Sequence, residues 1–359
     1  MLVSRVARLR SVMTHAGYDA VLLLGMVNIR YLCGFCGTDG ALVVTHNQVF
    51  FLTDSRYTSQ AKQQVDATEI VEYSDKLQAV GSVLRDTLNN RGSKVGFESK
   101  LVSVDQFQRL EKECSACGFI AADDEIVGLR QIKDDDEIVC LTQAAHLNHL
   151  AWSRLLPEIK TGSSEADIAL ELEFILRKLG GEDKAFDFIV ASGERGAMPH
   201  GVASSRQLQR GDLVTVDFGT KWQGYHSDET VTFGVGEVSH QLRKIYDVVL
   251  EAHDRALSSI ELSASAREID NVARQYIAEQ GYGSYFGHGL GHGVGLEVHE
   301  APVISPRSEV LLQAGMVFTI EPGIYIPGVG GVRIEDTVVL TDDGCRCLTQ
   351  CPKHYLAIS

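Results

Sequence analysis

The first residues in the sequence that could do chemistry are two aspartates on neighbouring β-rich runs. Leu213–Phe218 alternates between two faces and carries Asp217, and the chain returns through Asp228 after a turn-like segment. A hairpin would bring the two carboxylates within reach of each other, and like charges in a half-buried place need a cation between them. For this segment alone, an exposed hairpin with two surface acids remains the alternative.

A second segment repeats this arrangement. The apolar run Met316–Ile320 leads into Glu321, a Gly-rich turn follows at 327–331, and the return run carries Glu335. Two strand–turn–strand units with two acids each are harder to attribute to chance than one. We therefore interpret the four carboxylates as a candidate metal-binding set.

Three histidines, His288, His292 and His299, lie within 12 residues of a Gly-rich stretch. Glycine lets backbone approach a ligand closely, and glycine at alternate positions weakens a helix, so we predict a loop or irregular strand. The stretch has neither the G-x-G-x-x-G register of dinucleotide-binding proteins nor the H-E-x-x-H zinc motif. A further candidate, His200, follows the predicted strand Phe188–Ala191 in a Gly/Pro loop.

Four carboxylates and one imidazole suit two divalent metal ions. An oxygen-rich set without thiolates favours Mn²⁺, Co²⁺ or Fe²⁺, with Zn²⁺ as an alternative, and Mn²⁺ is our first choice. Bridging carboxylates hold such a pair about 3.5–4 Å apart, and the pair lowers the pKa of a shared water and polarises a carbonyl. The residues therefore predict metal-assisted hydrolysis.

The elements that position these residues are predicted to form two domains, as the length of 359 residues suggests. Residues 1–127 alternate helical and strand patterns, which indicates a small α/β domain that opens with an amphipathic helix at residues 1–13. The acidic run Asp134–Glu137 precedes apolar residues at helical spacing, so a long helix begins there, close to the boundary. Residues 128–359 form the second domain, with two halves that each have helices followed by strands.

Composition excludes several classes of function. The net charge of −15, from 33 basic and 48 acidic residues, argues against a nucleic-acid partner. The early apolar run Ala20–Leu24 is too short to span a bilayer and no secretory signal is visible, so we expect no membrane association and a cytoplasmic location. Two C-x-x-C pairs, Cys33/Cys36 and Cys114/Cys117, are separated by 77 residues, too many for a usual zinc ribbon. We interpret them as reduced, buried thiols, since disulfides are rare in cytoplasmic proteins.

As a set, these motifs resemble those of the pita-bread metallopeptidases, which include aminopeptidase P, prolidase and methionine aminopeptidase. The segments that carry the resemblance are Asp217-x10-Asp228, Gly-His-Gly-Leu-Gly-His292, Thr-Ile-Glu321-Pro-Gly-Ile-Tyr and Val-Arg-Ile-Glu335-Asp. Asn28–Phe35 and Thr53–Tyr57 look like parts of the N-terminal domain of aminopeptidase P and prolidase, which methionine aminopeptidases lack. The implied fold is α+β, with a C-terminal pita-bread domain of two pseudo-symmetric halves and a smaller N-terminal creatinase/prolidase-like α/β domain.

The resemblance implies that five of these residues are metal ligands. Asp217 would serve one metal, and His292 and Glu321 the other. Asp228 and Glu335 would bridge the two.

The resemblance also assigns catalytic and substrate-binding positions. His200 and His299 would lie near the substrate carbonyl and the developing oxyanion, where donors stabilise the transition state. Glu321 would accept the proton of the attacking water. The residues that would contact substrate, with Arg333 also orienting a ligand carboxylate, are His288, Tyr325 and Arg333.

The function implied by the resemblance is that of an Xaa-Pro aminopeptidase, a dinuclear-metal exopeptidase that attacks the N-terminal Xaa-Pro bond with a metal-bridging hydroxide. Its substrates are peptides with proline at the second position, whose imide nitrogen has no N–H. The alternative is prolidase, an Xaa-Pro dipeptidase restricted to dipeptides. More remote alternatives are a metal-free creatinase-like amidinohydrolase and a non-enzymatic peptidase-like binding module, both of which lack the five-ligand set. By analogy with the family we also expect a homodimer.

Overall fold

The computed structural model describes residues 2–88 and 92–359, so Met1 of the predicted N-terminal helix lies outside the described residues. The chain divides into two compact units, Met1–Arg130 and Gln131–Ser359. The domain limits of 1–127 and 128–359 stay predictions. None of the described helices combines the length and the apolar character needed to cross a membrane.

The first unit is a sheet flanked by helices. Its helices are α1 (Leu2–Ala16), α2 (Met26–Cys33), α3 (Thr58–Gln64), α4 (Lys76–Thr87), α5 (Val104–Glu113) and α6 (Asp123–Gln131). Its strands are β1 (Ala20–Leu23), β2 (Ala41–Thr45), β3 (Val49–Thr53), β4 (Glu69–Glu72), β5 (Ser93–Phe97) and β6 (Cys117–Ala121). Their order is β4-β3-β2-β1-β5-β6. Every residue of β1, β2 and β3 is buried, which explains their unbroken apolar sequences.

The cysteines of the first unit differ from the sequence prediction. Cys114 and Cys117 are joined by a disulfide, so the interpretation of this pair as reduced thiols is wrong. The reason is a tight turn between α5 and β6, in which the Cys117 N–H donates to the Cys114 carbonyl at 3.0 Å. Cys33 is free and buried as expected, but Cys36 is free and exposed.

The second unit contains the remaining elements. Its helices are α7 (Asp135–Leu155), α8 (Glu165–Lys178), α9 (His240–Ser258) and α10 (Ala266–Glu279). Its first strands are β7 (Ile189–Ser192), β8 (Leu213–Phe218), β9 (Lys221–Trp222), β10 (Tyr225–His226) and β11 (Glu229–Val235). They are followed by β12 (Gly291–Gly293), β13 (Glu300–Ile304), β14 (Val317–Ile320), β15 (Gly323–Ile326), β16 (Gly330–Arg333), β17 (Asp336–Thr341), β18 (Gly344–Cys347) and β19 (Ala357–Ile358).

The helices of the second unit begin at side chains that cap them. Asp134 and Glu137 form a reciprocal capping box at the start of α7, where the sequence predicted a long helix. Ser164 caps α8 by accepting the N–H of Asp167. Ser265 caps α10 in a second reciprocal box. These caps satisfy backbone donors that a helix terminus leaves free.

Each half of the second unit has its own core. Apolar side chains of α7 and α8 pack with β7, β8 and β11, whereas α9 and α10 pack with β14 to β17. One sheet has the order β19-β11-β8-β7 and the other β13-β12-β14-β17-β18. β8 pairs antiparallel with β11, and β14 with β17. The predicted two halves, each carrying a strand–turn–strand unit with two acids, are therefore present.

Candidate metal centre

The candidate acids lie largely where strands are interrupted. The predicted apolar strand leads into Glu321, and β14 ends just before this residue, while β15 begins after it. Glu335 likewise lies between β16 and β17, and Asp228 lies between β10 and β11. Only Asp217 lies within a regular strand, β8. Backbone that leaves the ladder can aim a side chain differently from its neighbours, so acids from separate strands reach one cavity.

This cavity has a volume of about 420 Å³, within the range of ligand-binding pockets. Its lining includes nearly every residue for which the sequence predicted a role, namely His200, Asp217, Asp228, His288, His292, His299, Glu321, Arg333 and Glu335. The exception is Tyr325, which does not line the cavity but contacts two residues that do, His288 and Arg333.

The tightest group in the cavity is formed by Asp228, His292 and Glu335. One ligand atom from each lies within 4.8 Å of the others. His292 Nε2 is also 3.4 Å from Glu321 Oε1 and 3.6 Å from Asp228 Oδ2. Three predicted ligands, Asp228, Glu321 and Glu335, thus lie around the imidazole of His292, the fourth. The fifth, Asp217, lines the same cavity.

Burial controls the titration of these acids. It raises the pKa of Asp228 well above its ordinary value, and the charge of Glu335 adds to this effect. The pKa of Glu335 is raised in the same way, with Glu321 adding. Burial also raises the pKa of Glu321 to about 8, although Arg333 opposes the change. Asp217 Oδ1 is buried and accepts no hydrogen bond from the described residues. A divalent cation would relieve this uncompensated negative charge.

Glycine on both sides of His292 allows other strands to approach it. A Cβ at Gly291 would overlap the carbonyl oxygen of Thr319, and a Cβ at Gly293 would overlap that of Ala301. These approaches require glycine, and β12 shifts its register between His292 and Gly293. The Gly-rich stretch was predicted to be a loop or irregular strand, and around His292 it is a short, irregular strand.

The imidazole of His292 is oriented to present one nitrogen to the acids. Its Nδ1 lies 3.1 Å from the carbonyl oxygen of Gly293. Because a carbonyl can only accept a hydrogen bond, Nδ1 carries the proton and the lone pair is on Nε2. Burial lowers the pKa of His292 to about 4, with the neighbouring His299 adding to the effect. The ring is therefore neutral near pH 7 and suited to bind a metal.

A chain of polar contacts leads from Asp217 to His288. Arg333 Nη2 donates to Asp217 Oδ2 at 2.6 Å, and Arg333 Nη1 donates to Tyr325 Oη at 3.0 Å. Tyr325 Oη in turn lies 3.0 Å from His288 Nε2. Burial lowers the pKa of His288 to about 4, so this imidazole is also neutral near pH 7.

His200 and His299 are exposed side chains on the cavity wall. The ring of His299 meets that of His292 edge to face, with 4.2 Å between the centroids. His200 follows Pro199, whose carbonyl oxygen accepts a hydrogen bond from Arg333 Nη1 at 3.1 Å. Both histidines therefore adjoin the candidate ligands, and their catalytic roles stay predictions.

Two threonines that support the acids were not predicted. Thr230 Oγ1 donates to Glu335 Oε2 at 2.7 Å, and Thr319 Oγ1 donates to Glu321 Oε1 at 3.3 Å. Strand alternation could indicate their faces but not the acids that those faces meet. The cavity also has an unpredicted set of apolar side chains, whose sequence gave no chemical signal: Phe186, Ile189, Val202, Val298 and Val303.

Both units match known protein families. Residues 139–342 match metallopeptidase family M24, and residues 5–132 match the creatinase/prolidase N-terminal domain. The chain belongs to metallopeptidase family M24. The predicted family, two-domain fold and enzyme class are thereby confirmed, and membership implies that the protein uses divalent metal ions.

Several relatives of this M24 peptidase match nearly its whole length. An Xaa-Pro dipeptidase from Bacillus anthracis is 41% identical, with a TM-score of 0.95 and coverage of 100% of both chains. An X-Pro aminopeptidase from Thermotoga maritima MSB8 is 39% identical, with a TM-score of 0.89 and coverage of 95% of this chain and 98% of that one. The Xaa-Pro dipeptidase of Pyrococcus furiosus is 37% identical over 98% of this chain and 99% of the relative.

Proposed function

We propose that this M24 peptidase is an Xaa-Pro dipeptidase that works with two divalent metal ions. The observation that carries the proposal is the buried meeting of Asp228, His292 and Glu335, with Glu321 beside them, in one cavity. The names of two of the three relatives favour the dipeptidase, which was the alternative at the sequence level, over the Xaa-Pro aminopeptidase.

The donor set fits divalent metal ions. Asp217 is paired with Arg333 through one oxygen, but its Oδ1 has no hydrogen-bond partner among the described residues, and burial together with neighbouring acids raises the pKa of Asp228. Oxygen ligands with one imidazole favour Mn²⁺, with Co²⁺, Fe²⁺ and Zn²⁺ as alternatives. The residues that would hold the ions are Asp217, Asp228, His292, Glu321 and Glu335. When bound, such ions polarise a carbonyl and make hydroxide available near neutral pH.

The side chains of the cavity would carry the proton transfers and the positioning. Glu321 would accept the proton of the attacking water, because it lies beside His292 in the ligand group. His200 and His299, on the cavity wall, would donate to the oxygen on which negative charge develops. Arg333 would hold Asp217 in place through its 2.6 Å contact.

An Xaa-Pro aminopeptidase is the second candidate, and one feature of the cavity favours it. A dipeptidase must accept a free carboxylate directly after the proline. Among the described residues that line the cavity there is no lysine, and the arginine there, Arg333, already donates to Asp217 and Tyr325. Two exposed valines, Val202 and Val303, line the cavity as well. Such a wall could pack against a further residue of a longer peptide.

The substrates Ala-Pro, Ala-Pro-Ala and Ala-Pro-amide separate the two candidates. The amide keeps the length of a dipeptide and removes the carboxylate. For a dipeptidase we expect the Mn²⁺-loaded protein to cleave Ala-Pro, with kcat/KM for the other two lower by at least about 100-fold. Equal or faster cleavage of the tripeptide would favour the aminopeptidase. Failure to cleave all three, or equal cleavage of Ala-Ala, would overturn the proposal that Xaa-Pro bonds are the substrates.

By analogy with the family we propose a homodimer, and we keep the expected cytoplasmic location as a separate proposal. Analytical ultracentrifugation of the full chain would measure the assembly, with a monomer at micromolar concentration counting against it. Fractionation of cells that express the protein would test the location.

A further inference from the structure

A second acidic pair lies directly beside two of the candidate ligands. Asp228 is followed by Glu229, and Glu335 is followed by Asp336. Glu229 and Asp336 are the first residues of β11 and β17. Successive side chains along a strand point to opposite faces. Accordingly Asp228 and Glu335 line the cavity, whereas Glu229 and Asp336 are buried away from it.

Lys353 lies between the two acids that point away from the cavity. Its Nζ is 2.7 Å from Glu229 Oε1 and 3.3 Å from Asp336 Oδ1. The Glu229 side chain is fully buried, and those of Lys353 and Asp336 are each 10% exposed. The N–H of Cys351 donates to Glu229 Oε1 at 2.9 Å. The C-terminal segment therefore joins β11, from the first half of the unit, to β17, from the second.

Two other side chains lie against Asp336. Thr349 Oγ1 donates to Asp336 Oδ1 at 2.5 Å, and His253 Nε2, on α9, lies 3.2 Å from Asp336 Oδ2. The start of β17 also touches the first half directly, because Thr337 Oγ1 donates to the carbonyl oxygen of Asp228 at 2.7 Å. A hydrogen bond thus connects the backbone of Asp228, a candidate ligand from the first half, to β17 of the second half.

We propose that Lys353 is a positioning residue, which sets the separation between Asp228 and Glu335 by clamping their neighbours Glu229 and Asp336 together. The proposal rests on the proposed function, in which the two ligand carboxylates serve both metal ions. Each neighbour shares a peptide bond with a ligand, so movement of its buried side chain displaces the ligand backbone. Groups just outside a metal site commonly orient the ligands in this way.

Three changes at the clamp test this role. Lys353→Met removes the cation but leaves two buried carboxylates unpaired, which can prevent folding. The double variant Glu229→Gln/Lys353→Met removes the clamp together with one of those charges. Lys353→Arg keeps the charge but presents a planar group of different reach. The matched control is Tyr246→Phe, which deletes the 2.8 Å hydrogen bond from Tyr246 Oη to the Lys353 carbonyl and leaves the clamp intact.

The measurements are Mn²⁺ affinity by titration calorimetry of the metal-free full chain, thermal unfolding without metal, and kcat and KM on Ala-Pro. We expect the double variant to fold and to bind Mn²⁺ about 10–100-fold more weakly. Lys353→Arg should bind with intermediate affinity. Tyr246→Phe should lower the unfolding temperature and leave Mn²⁺ affinity unchanged.

Several outcomes would overturn the positioning role. One is wild-type Mn²⁺ affinity in the double variant, and another is an equal loss of affinity in Tyr246→Phe, which would indicate general loosening. If both methionine variants fail to fold, the arginine variant decides, and wild-type affinity there would reject the role. A wild-type protein that binds no divalent metal would instead refute the proposed function.

Discussion

Glu335 and Asp336 are adjacent in the chain and both buried, yet their pKa values are shifted in opposite directions. Burial raises the pKa of Glu335 well above its ordinary value, and the charge of Glu321 adds to the increase. Burial also acts to raise the pKa of Asp336, but Lys353, His253 and Thr349 together outweigh it, and the pKa lies below its ordinary value. Asp336, on one face of this segment, is paired with Lys353, whereas Glu335, on the other face, lines a cavity with other carboxylates.

The difference teaches that the partner, rather than burial, separates a structural acid from a candidate ligand. Asp228 and Glu229 repeat the arrangement at the start of β11, since Asp228 faces the cavity and Glu229 faces Lys353. The arginine of the cavity, Arg333, donates to Asp217. The chain thus supplies Lys353 to the two acids that hold the strands together and leaves Asp228 and Glu335 for a metal ion. Asp217 is intermediate, since Arg333 contacts one of its oxygens and the other has no hydrogen-bond partner among the described residues.

The largest effect is expected from Asp228→Asn. The change removes a charged donor from the tightest group in the cavity. Loss of an outer partner alone costs about 10–100-fold in metal affinity or activity, so loss of a ligand should reduce kcat/KM on Ala-Pro by more than about 100-fold. Circular dichroism should show an intact fold. Asp247→Asn, at an exposed acid paired with Arg243, is the control and should keep its activity. Wild-type turnover in Asp228→Asn would remove this residue from the site.

Neutralising the two adjacent acids should change stability in opposite directions. Asp336→Asn deprives Lys353 of one buried partner and should lower the free energy of unfolding by up to about 3–5 kcal/mol. Glu335→Gln replaces a carboxylate that is costly to bury and should stabilise the metal-free protein by a smaller amount. Urea unfolding of both metal-free variants checks this. A change of the same sign in the free energy of unfolding of both variants would contradict the distinction between Glu335 and Asp336.

The pH dependence of stability should reveal the uncompensated acids. Burial raises the pKa of Glu321 from the ordinary 4.5 to about 8. The folded, metal-free protein therefore binds a proton that the unfolded chain releases, and the resulting stability is full below pH 4.5 and lost as the pH rises to about 8. Thermal unfolding at several pH values, with and without saturating Mn²⁺, should show this loss chiefly without metal. The metal-free Glu321→Gln variant should lose less stability over the same pH range. An equal loss in that variant would exclude Glu321 as the source of the pH dependence.

The smallest effect is expected from Tyr325→Phe. The change removes the hydroxyl that lies 3.0 Å from both Arg333 Nη1 and His288 Nε2. A net hydrogen bond is worth about 0.5–1.5 kcal/mol, so kcat/KM should fall by no more than about tenfold. Steady-state kinetics on Ala-Pro measure the change. A loss as large as that in Asp228→Asn would give Tyr325 a direct part in the chemistry.

The parts of the site that were predictable lie within short segments. Alternation around Asp217 and the apolar run before Glu321 indicated the two strand–turn–strand units, and glycines around His292 indicated an irregular backbone. The family resemblance then supplied the roles of the ligands, which stay predictions, and the identity of the two domains, which the family models confirm.

The parts that were not predictable depend on contacts between distant segments. Local pattern favoured a continuous strand through Glu335, because nothing in the run of apolar residues signals that the ladder breaks there. Lys353 follows 17 residues after Asp336, so no spacing rule connects it with Glu229. The repeated pairs of consecutive acids were visible in the sequence, but only the packing of the strands separates the candidate ligands from the structural acids.

The most direct test of the metal centre is to measure bound metal and turnover on the same sample. The full chain is stripped with a chelator, its metal content is determined, and cleavage of Ala-Pro is followed while Mn²⁺ is added back. We predict no turnover in the stripped protein and recovery that saturates as about two ions bind per chain. Full turnover by a protein shown to contain no metal would contradict the assignment of these five residues as metal ligands.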